Sequence, residues 1–178
     1  MGSTTDTMFE TALEMEKRGY EHYQAYVASC QNELGRELFT TLRDDELVHI
    51  ERIKRIFEAV KRGETAWKDS YGVQDAKTTP ASLDAMFASM KAKHRAGGTG
   101  VGDDDITALD IGIDFELHAV TFYEKHLPLA AGEIEREFTT RMIAEERFHH
   151  KALVDTKLFL TNPEAWYSET EKSGLDGA

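Results

Sequence analysis

Two Glu-x-x-His runs, Glu46 to His49 and Glu146 to His149, hold the most legible chemistry in this chain. Residues three apart on a helix project to one side, so each run can set a carboxylate and an imidazole around one metal ion. The runs recur at an offset of 100 residues, and the same offset pairs Glu16 with Glu116 and Tyr23 with Tyr123. It also aligns Glu33, Arg36, Glu37 and Thr40 with Glu133, Arg136, Glu137 and Thr140, and Leu13, Leu38 and Ile53 with Ile113, Phe138 and Leu153. Two related halves placed about an approximate two-fold axis would bring both copies of each carboxylate and histidine to the middle. Four Glu and two His make an oxygen and imidazole set that suits iron or manganese more than thiolate-loving metals. One Glu from each of two helices, with Glu-x-x-His from each of two others, is the ligand pattern of dinuclear iron or manganese bundles.

Those residues require long helices to position them. Apolar residues recur at helical rather than alternating spacing, and only Pro80, Pro128 and Pro163 interrupt. The periodicity predicts a first helix from Asp6 or Thr7 to about Gln31 along the stripe Phe9, Leu13, Glu16, Tyr20, Tyr23, Val27. A second follows Asn32 and runs to Arg62, with Gly63 as its left-handed stop. Asp103 to Asp105 charge the start of a third, which runs to about Ala131 with Pro128 loosening its end. A fourth spans about Glu133 to Thr161 and is stopped by Asn162-Pro163. The expected architecture is all-α: hairpin 1 over about 6–62, a Gly-rich crossover over about 63–104, hairpin 2 over about 105–161 and a tail over 162–178, in a single domain. Short links within each hairpin make its helices antiparallel.

Glutamate is common on solvated helix faces, and a single Glu-x-x-His arises often by chance. Position decides otherwise here, because Glu16 and Glu116 lie within the apolar stripes, flanked by Leu13 and Tyr20 or by Ile113 and Val120. Four carboxylates buried together without counter-charge would be costly or would take up protons. No Lys or Arg falls on those stripes, so the neutralising cations are expected from outside. His22, His94, His118, His126 and His150 are off the stripe or unrepeated and are expected at the surface or around the site. Tyr20, Tyr23 and Tyr123 could hydrogen-bond a ligand carboxylate or carry an electron, but core packing is the simpler expectation.

Composition narrows the partners. Across 178 residues, 33 Asp and Glu against 21 Lys and Arg leave a net charge of -12, which repels nucleic-acid phosphates and anionic lipid and favours cations. The lone Cys30 excludes an internal disulfide, a four-thiolate metal centre and a Cys-x-x-Cys redox motif. No apolar run reaches the roughly 20 residues of a membrane span, and the polar, acid-containing start is unlike a signal peptide or a myristoylation motif, so a cytoplasmic location is expected.

With these motifs the chain resembles the ferritin-like superfamily and, within it, rubrerythrin-type di-iron proteins. The resemblance covers about Phe9–Val60 and Ile106–Trp166, through Glu16 with Tyr20 and Tyr23, Asp45-Glu46-Leu47-Val48-His49, Phe115-Glu116-Leu117 with Phe122-Tyr123, and Glu145-Glu146-Arg147-Phe148-His149. It implies a ferritin-like four-helix bundle with two iron ions, manganese being the other option. Glu16 and His49 would be terminal ligands of one ion and Glu116 and His149 of the other, with Glu46 and Glu146 bridging. Asn162 to Trp166 also looks like the ending of short family members. Two departures stand out. Cys30 alone cannot supply the four-cysteine rubredoxin module, and Ala119, matched by Gly19, stands where the family has an additional Glu.

The resemblance implies an oxidoreductase that reduces hydrogen peroxide or dioxygen with electrons from a separate donor such as a rubredoxin-like protein. A ferroxidase feeding an iron-storing shell is the alternative, and a metal-free helical interaction module is the reading from a different class. A homodimer is expected, and the crossover is long enough for hairpins to be exchanged between two chains.

Overall fold

The computed structural model describes residues 4–68, 85, 86, 88 and 102–175, and among them every regular element is helical. Helix α1 spans Thr4–Ser29, α2 Glu33–Lys61, α3 Asp103–His126, α4 Glu133–Thr161 and α5 Pro163–Leu175, with a 3-10 turn over Leu127–Leu129. Most of the crossover, including Pro80, His94, Gly97, Gly98 and Gly100, lies outside the described residues. Among the described residues no helix is long and apolar enough to cross a membrane.

Local chemistry accounts for the helix ends. Asn32 caps α2 by accepting from the amides of Leu34 and Gly35, each at 3.0 Å. At the other end Gly63 takes φ +74°, its amide donates to Val60 and that of Glu64 to Ala59. This paired closure, in which only glycine sits without strain in the left-handed region, ends α2 where expected. Helix α1 already includes Thr4, so it begins before the expected Asp6 or Thr7. Helix α3 stops at His126, earlier than Ala131, because Pro128 lacks the amide a further α turn would need and the chain tightens to 3-10.

Helices α1 and α2 pack as one hairpin and α3 and α4 as the other, and the hairpins meet through α2 against α4 and α1 against α3. Phe9 stacks near Phe57 and Tyr23 near Phe39, so α1 and α2 run antiparallel. Asp105 ties the hairpins together at one end, accepting from the Asn32 amide at 3.3 Å. The apolar core divides into two clusters. One gathers Tyr23, Leu38, Phe39, Leu42, Leu109, Leu153 and Phe159, and the other Phe9, Ile53, Ile56, Tyr123, Phe138 and Met142. Between them lies a polar layer.

The most buried lines of α1 and α3 are narrower than the predicted stripes. Leu13, Tyr20 and Val27 are only partly buried, whereas Ala12 and Gly19 are buried; on α3 Gly112 and Ala119 do the same. Small side chains let the neighbouring helices close over the acids, a placement that apolar bulk alone does not reveal.

The segment expected as a tail folds as α5. Asn162, which ends α4, accepts from the Ala165 amide at 3.1 Å, and Pro163 follows at a first helical position where a missing amide costs nothing. Trp166 is 3% exposed and meets Phe159 edge-on with ring centroids 5.4 Å apart. Trp166→Ala is expected to cost about 3–5 kcal/mol through the lost burial and the cavity left behind. Urea unfolding at constant metal content measures it; a loss under 1 kcal/mol would mean that α5 contributes little to the core.

Candidate metal centre

The polar layer is built from the middle turns of four helices. Glu16 comes from α1, Glu46 and His49 from α2, Glu116 from α3, and Glu146 and His149 from α4; all six are buried to within 1%. Ligand atoms of Glu46, Glu116, Glu146 and His149 lie within 4.8 Å of one another, as do those of Glu16, Glu46 and His49. Glu46 belongs to both groups, so two cation positions would be adjacent. Glu146 also reaches across, with Oε1 3.2 Å from His49 Nδ1 and Oε2 3.1 Å from His149 Nδ1. The imidazole rings lie nearly parallel, 5.4 Å apart.

Around this layer the pseudo-symmetry continues. Tyr123 donates its hydroxyl proton to Glu16 Oε1 at 2.6 Å, and Tyr23 donates to Glu116 Oε1. The tyrosines therefore do more than fill the core, contrary to the simpler expectation, while Tyr20 lies partly buried to one side. Both histidines turn Nδ1 inward: His49 Nδ1 lies 3.0 Å from Glu16 Oε2. Each Nε2 faces a carboxylate of the other hairpin. His49 Nε2 is 2.9 Å from Glu145 Oε2, and His149 Nε2 is 3.3 Å from Asp45 Oδ2.

Asp45 and Glu145 were not singled out in the sequence. A signal existed, since both precede a repeated Glu and differ by the same 100 residues. Arg52 adds a feature that the stripes do not show. It stands one turn beyond His49, is 2% exposed and donates from Nη1 to Glu145 Oε2 at 2.7 Å, so one cation is already built into the wall.

The other histidines stay outside the cluster. His118 is exposed and His150 partly so, His126 bonds the Phe122 carbonyl at 2.8 Å, and His22 sits half-buried beside the Tyr26 ring. Burial lowers the pKa of His22 and favours its neutral form.

Protonation of the metal-free cluster follows from crowding. Burial, reinforced by the neighbouring Glu16, raises Glu46 well above the carboxylate range. Burial also lifts Glu116 to about 7, against the opposing pull of His149. It works the same way on Glu146, but His49 and His149 outweigh it and hold that carboxyl well below its ordinary value. For the two rings burial opposes the charge, yet the surrounding acids raise both. Burial and the adjacent glutamates likewise keep Tyr23 and Tyr123 protonated as donors. In the metal-free chain, bound protons do part of a cation's work.

A cation fits the unmet demand of the site. Both oxygens of Glu46 and Oε2 of Glu116 are buried without a hydrogen-bond partner, as expected of lone pairs that await a positive ion. Oxygen and imidazole donors match the preferences of iron and manganese, and a cation entering would displace the protons now held there.

Comparison with family models, curated proteins and solved structures finds no match to this chain.

Proposed function

We propose that the chain is a ferritin-like, rubrerythrin-type four-helix bundle that holds two iron or manganese ions and reduces hydrogen peroxide or dioxygen, using electrons from a separate donor. The observation that carries this reading is the membership of Glu46 in both ligand groups, which would bring two cation positions side by side. Glu16 and His49 would hold one ion, Glu116 and His149 the other, with Glu46 and Glu146 shared between them. When bound, such a pair supplies two one-electron couples, which together match reduction of one O–O bond.

The chain's own residues supply the rest. Tyr123 and Tyr23 fix the carboxylates of Glu16 and Glu116 by donating to them. Glu145 and Asp45 hold the Nε2 protons, leaving each Nδ1 aimed at the cluster once its proton is displaced. The two apolar clusters on either side keep bulk water from the layer and strengthen its electrostatics. Reduction of peroxide to two waters consumes two electrons and two protons. Lone Cys30, buried and with its thiol pKa raised to about 11 chiefly by burial, is poorly suited to deliver those electrons.

Stopped-flow oxidation of the reduced, iron-loaded protein tests the reaction. Oxidation at least tenfold faster with peroxide than with dioxygen is the expected result. The reverse order, together with a large hollow assembly on size exclusion, would favour iron oxidation for storage. No spectral change with either oxidant would end the redox reading.

A further inference from the structure

The pseudo-two-fold arrangement breaks at a buried position beside the polar layer. Arg52 of α2 corresponds to Ala152 of α4, and both are buried. Arg52 directs Nη1 at Glu145 Oε2, at 2.7 Å, and lies 3.6 Å from Met142 Sδ. The same oxygen of Glu145 meets His49 Nε2 at 2.9 Å. Across the axis, Ala152 has no group that could hold Asp45 in the same way.

The two outer carboxylates also differ in their need for an anchor. Asp45 is short and fully buried, with Oδ2 3.3 Å from His149 Nε2, so it has little room to turn away. The Glu145 side chain is longer and 21% exposed, at the edge of water, where a free carboxylate gains hydration and rotamer freedom by swinging outward. A guanidinium is suited to prevent that, since it stays charged and its planar fork gives a directional bond. Burying it is unfavourable unless the pairing is good, so its presence in the wall calls for a role.

We propose that Arg52 is a positioning residue that pins Glu145 and, through it, the His49 ring, so that the two metal positions of the centre are inequivalent. The inference rests on the dinuclear reading above. Removing Arg52 frees Glu145 to turn to solvent and His49 to rotate, which disorganises the half of the site that contains Glu16 and His49. The half that contains Glu116 and His149 keeps its own buried Asp45.

Manganese(II) titration calorimetry on the full chain, paired with proton NMR of the metal-free protein, tests this. Wild type is expected to take up manganese in two distinguishable steps, one of which disappears in His49→Gln. In Arg52→Met that same step weakens by about tenfold or more, the loss typical of removing a ligand's support, while the other step stays unchanged. Arg52→Lys restores most of the loss. The slowly exchanging His49 ring N–H resonance, assigned by its absence in His49→Gln, broadens or disappears in Arg52→Met and returns in Arg52→Lys. Should Arg52→Met fail to fold, Glu145→Gln keeps the side-chain shape and is expected to weaken the same step alone. Equal weakening of both steps, tightening of the His49 step, or an unchanged ring resonance would overturn the proposal while leaving the dinuclear reading intact. No manganese uptake by wild type would overturn both.

Discussion

Glu46→Gln is expected to cut bound iron or manganese from about two per chain to below one, and at the same time to make the metal-free protein more resistant to urea at neutral pH. The effects have opposite signs because, on the dinuclear reading, Glu46 serves a ligand and not the fold. Its carboxylate is shared by both ligand groups, so its loss affects both positions. In the metal-free chain its two oxygens have no hydrogen-bond partner, and burial, with Glu16 nearby, raises its pKa well above the usual range. A carboxyl whose folded pKa is raised binds a proton more tightly when folded. It therefore disfavours folding increasingly as pH rises above its unfolded value of about 4.3, until the folded pKa is reached. A neutral amide removes that penalty, which amounts to about 1.4 kcal/mol for each unit by which the folded pKa is raised. The gain should be present at pH 7.5 and shrink toward zero as pH falls below about 4, where Glu46 becomes protonated in both states. Metal analysis and urea unfolding at the two pH values measure both parts. Unchanged metal content in the variant would remove Glu46 from the site, and a gain independent of pH would assign the stabilisation to another cause.

Gly19→Ala is the second substitution with a large expected effect, although it adds a single methyl group. Gly19 lies one turn beyond Glu16, and a Cβ there would sit 2.7 Å from Phe115 Cε1, 2.8 Å from Glu46 Oε1 and 2.9 Å from Glu46 Cδ. These separations are too short to be held, so the ring and the carboxylate must both move. Phe115 is half-buried and has room to give, and alanine favours a helix over glycine by about 1 kcal/mol, which offsets part of the overpacking cost of about 1–3 kcal/mol. Stability should therefore fall only slightly. Displacing Glu46 strikes both cation positions, and metal affinity is expected to drop about 10- to 100-fold, measured by manganese(II) titration. Ala119→Gly, at the repeat-related position, is the control: it should lower stability by about 1 kcal/mol and leave the affinity within threefold. Equal affinities for Gly19→Ala and the parent would show that the Glu46 carboxylate can move without consequence for the ligand set.

The two substitutions also mark how far the sequence could be read. Glu46 was legible because it combines helical spacing to His49 with a counterpart at Glu146, and a three-residue spacing has one geometric meaning on a helix. Gly19 was visible only as the residue standing opposite Ala119. That the Glu46 carboxylate presses on it depends on the rotation of α1 against α2, which is set by how their side chains interlock. Asn162-Pro163 signals a stop in the sequence, yet the pair that ends α4 also caps and begins α5, since an asparagine before a proline serves either role. Arg52 carries no signal in the spacing, because it lies to the side of the buried His49 and Ile53. A long side chain reaches the site from a flank that helical periodicity assigns to the boundary of the core.

The sequence by itself determined the helical class, the ends of α2 and α4 and the six acidic and imidazole residues that share the buried layer. Each of those follows from spacing along one helix, from a cap or from the repeat. Only the tertiary structure decided which hairpin supports which histidine: Glu145 of α4 meets His49 of α2, and Asp45 of α2 meets His149 of α4. Tyr23 and Tyr123 likewise cross between α1 and α3 to each other's glutamates. Such pairs join residues about 100 positions apart in the chain, and the antiparallel crossing of the helices fixes them. Backbone periodicity specifies a side chain's direction from its own helix, but the partner it meets depends on the register between helices, which is set by the close-packed core.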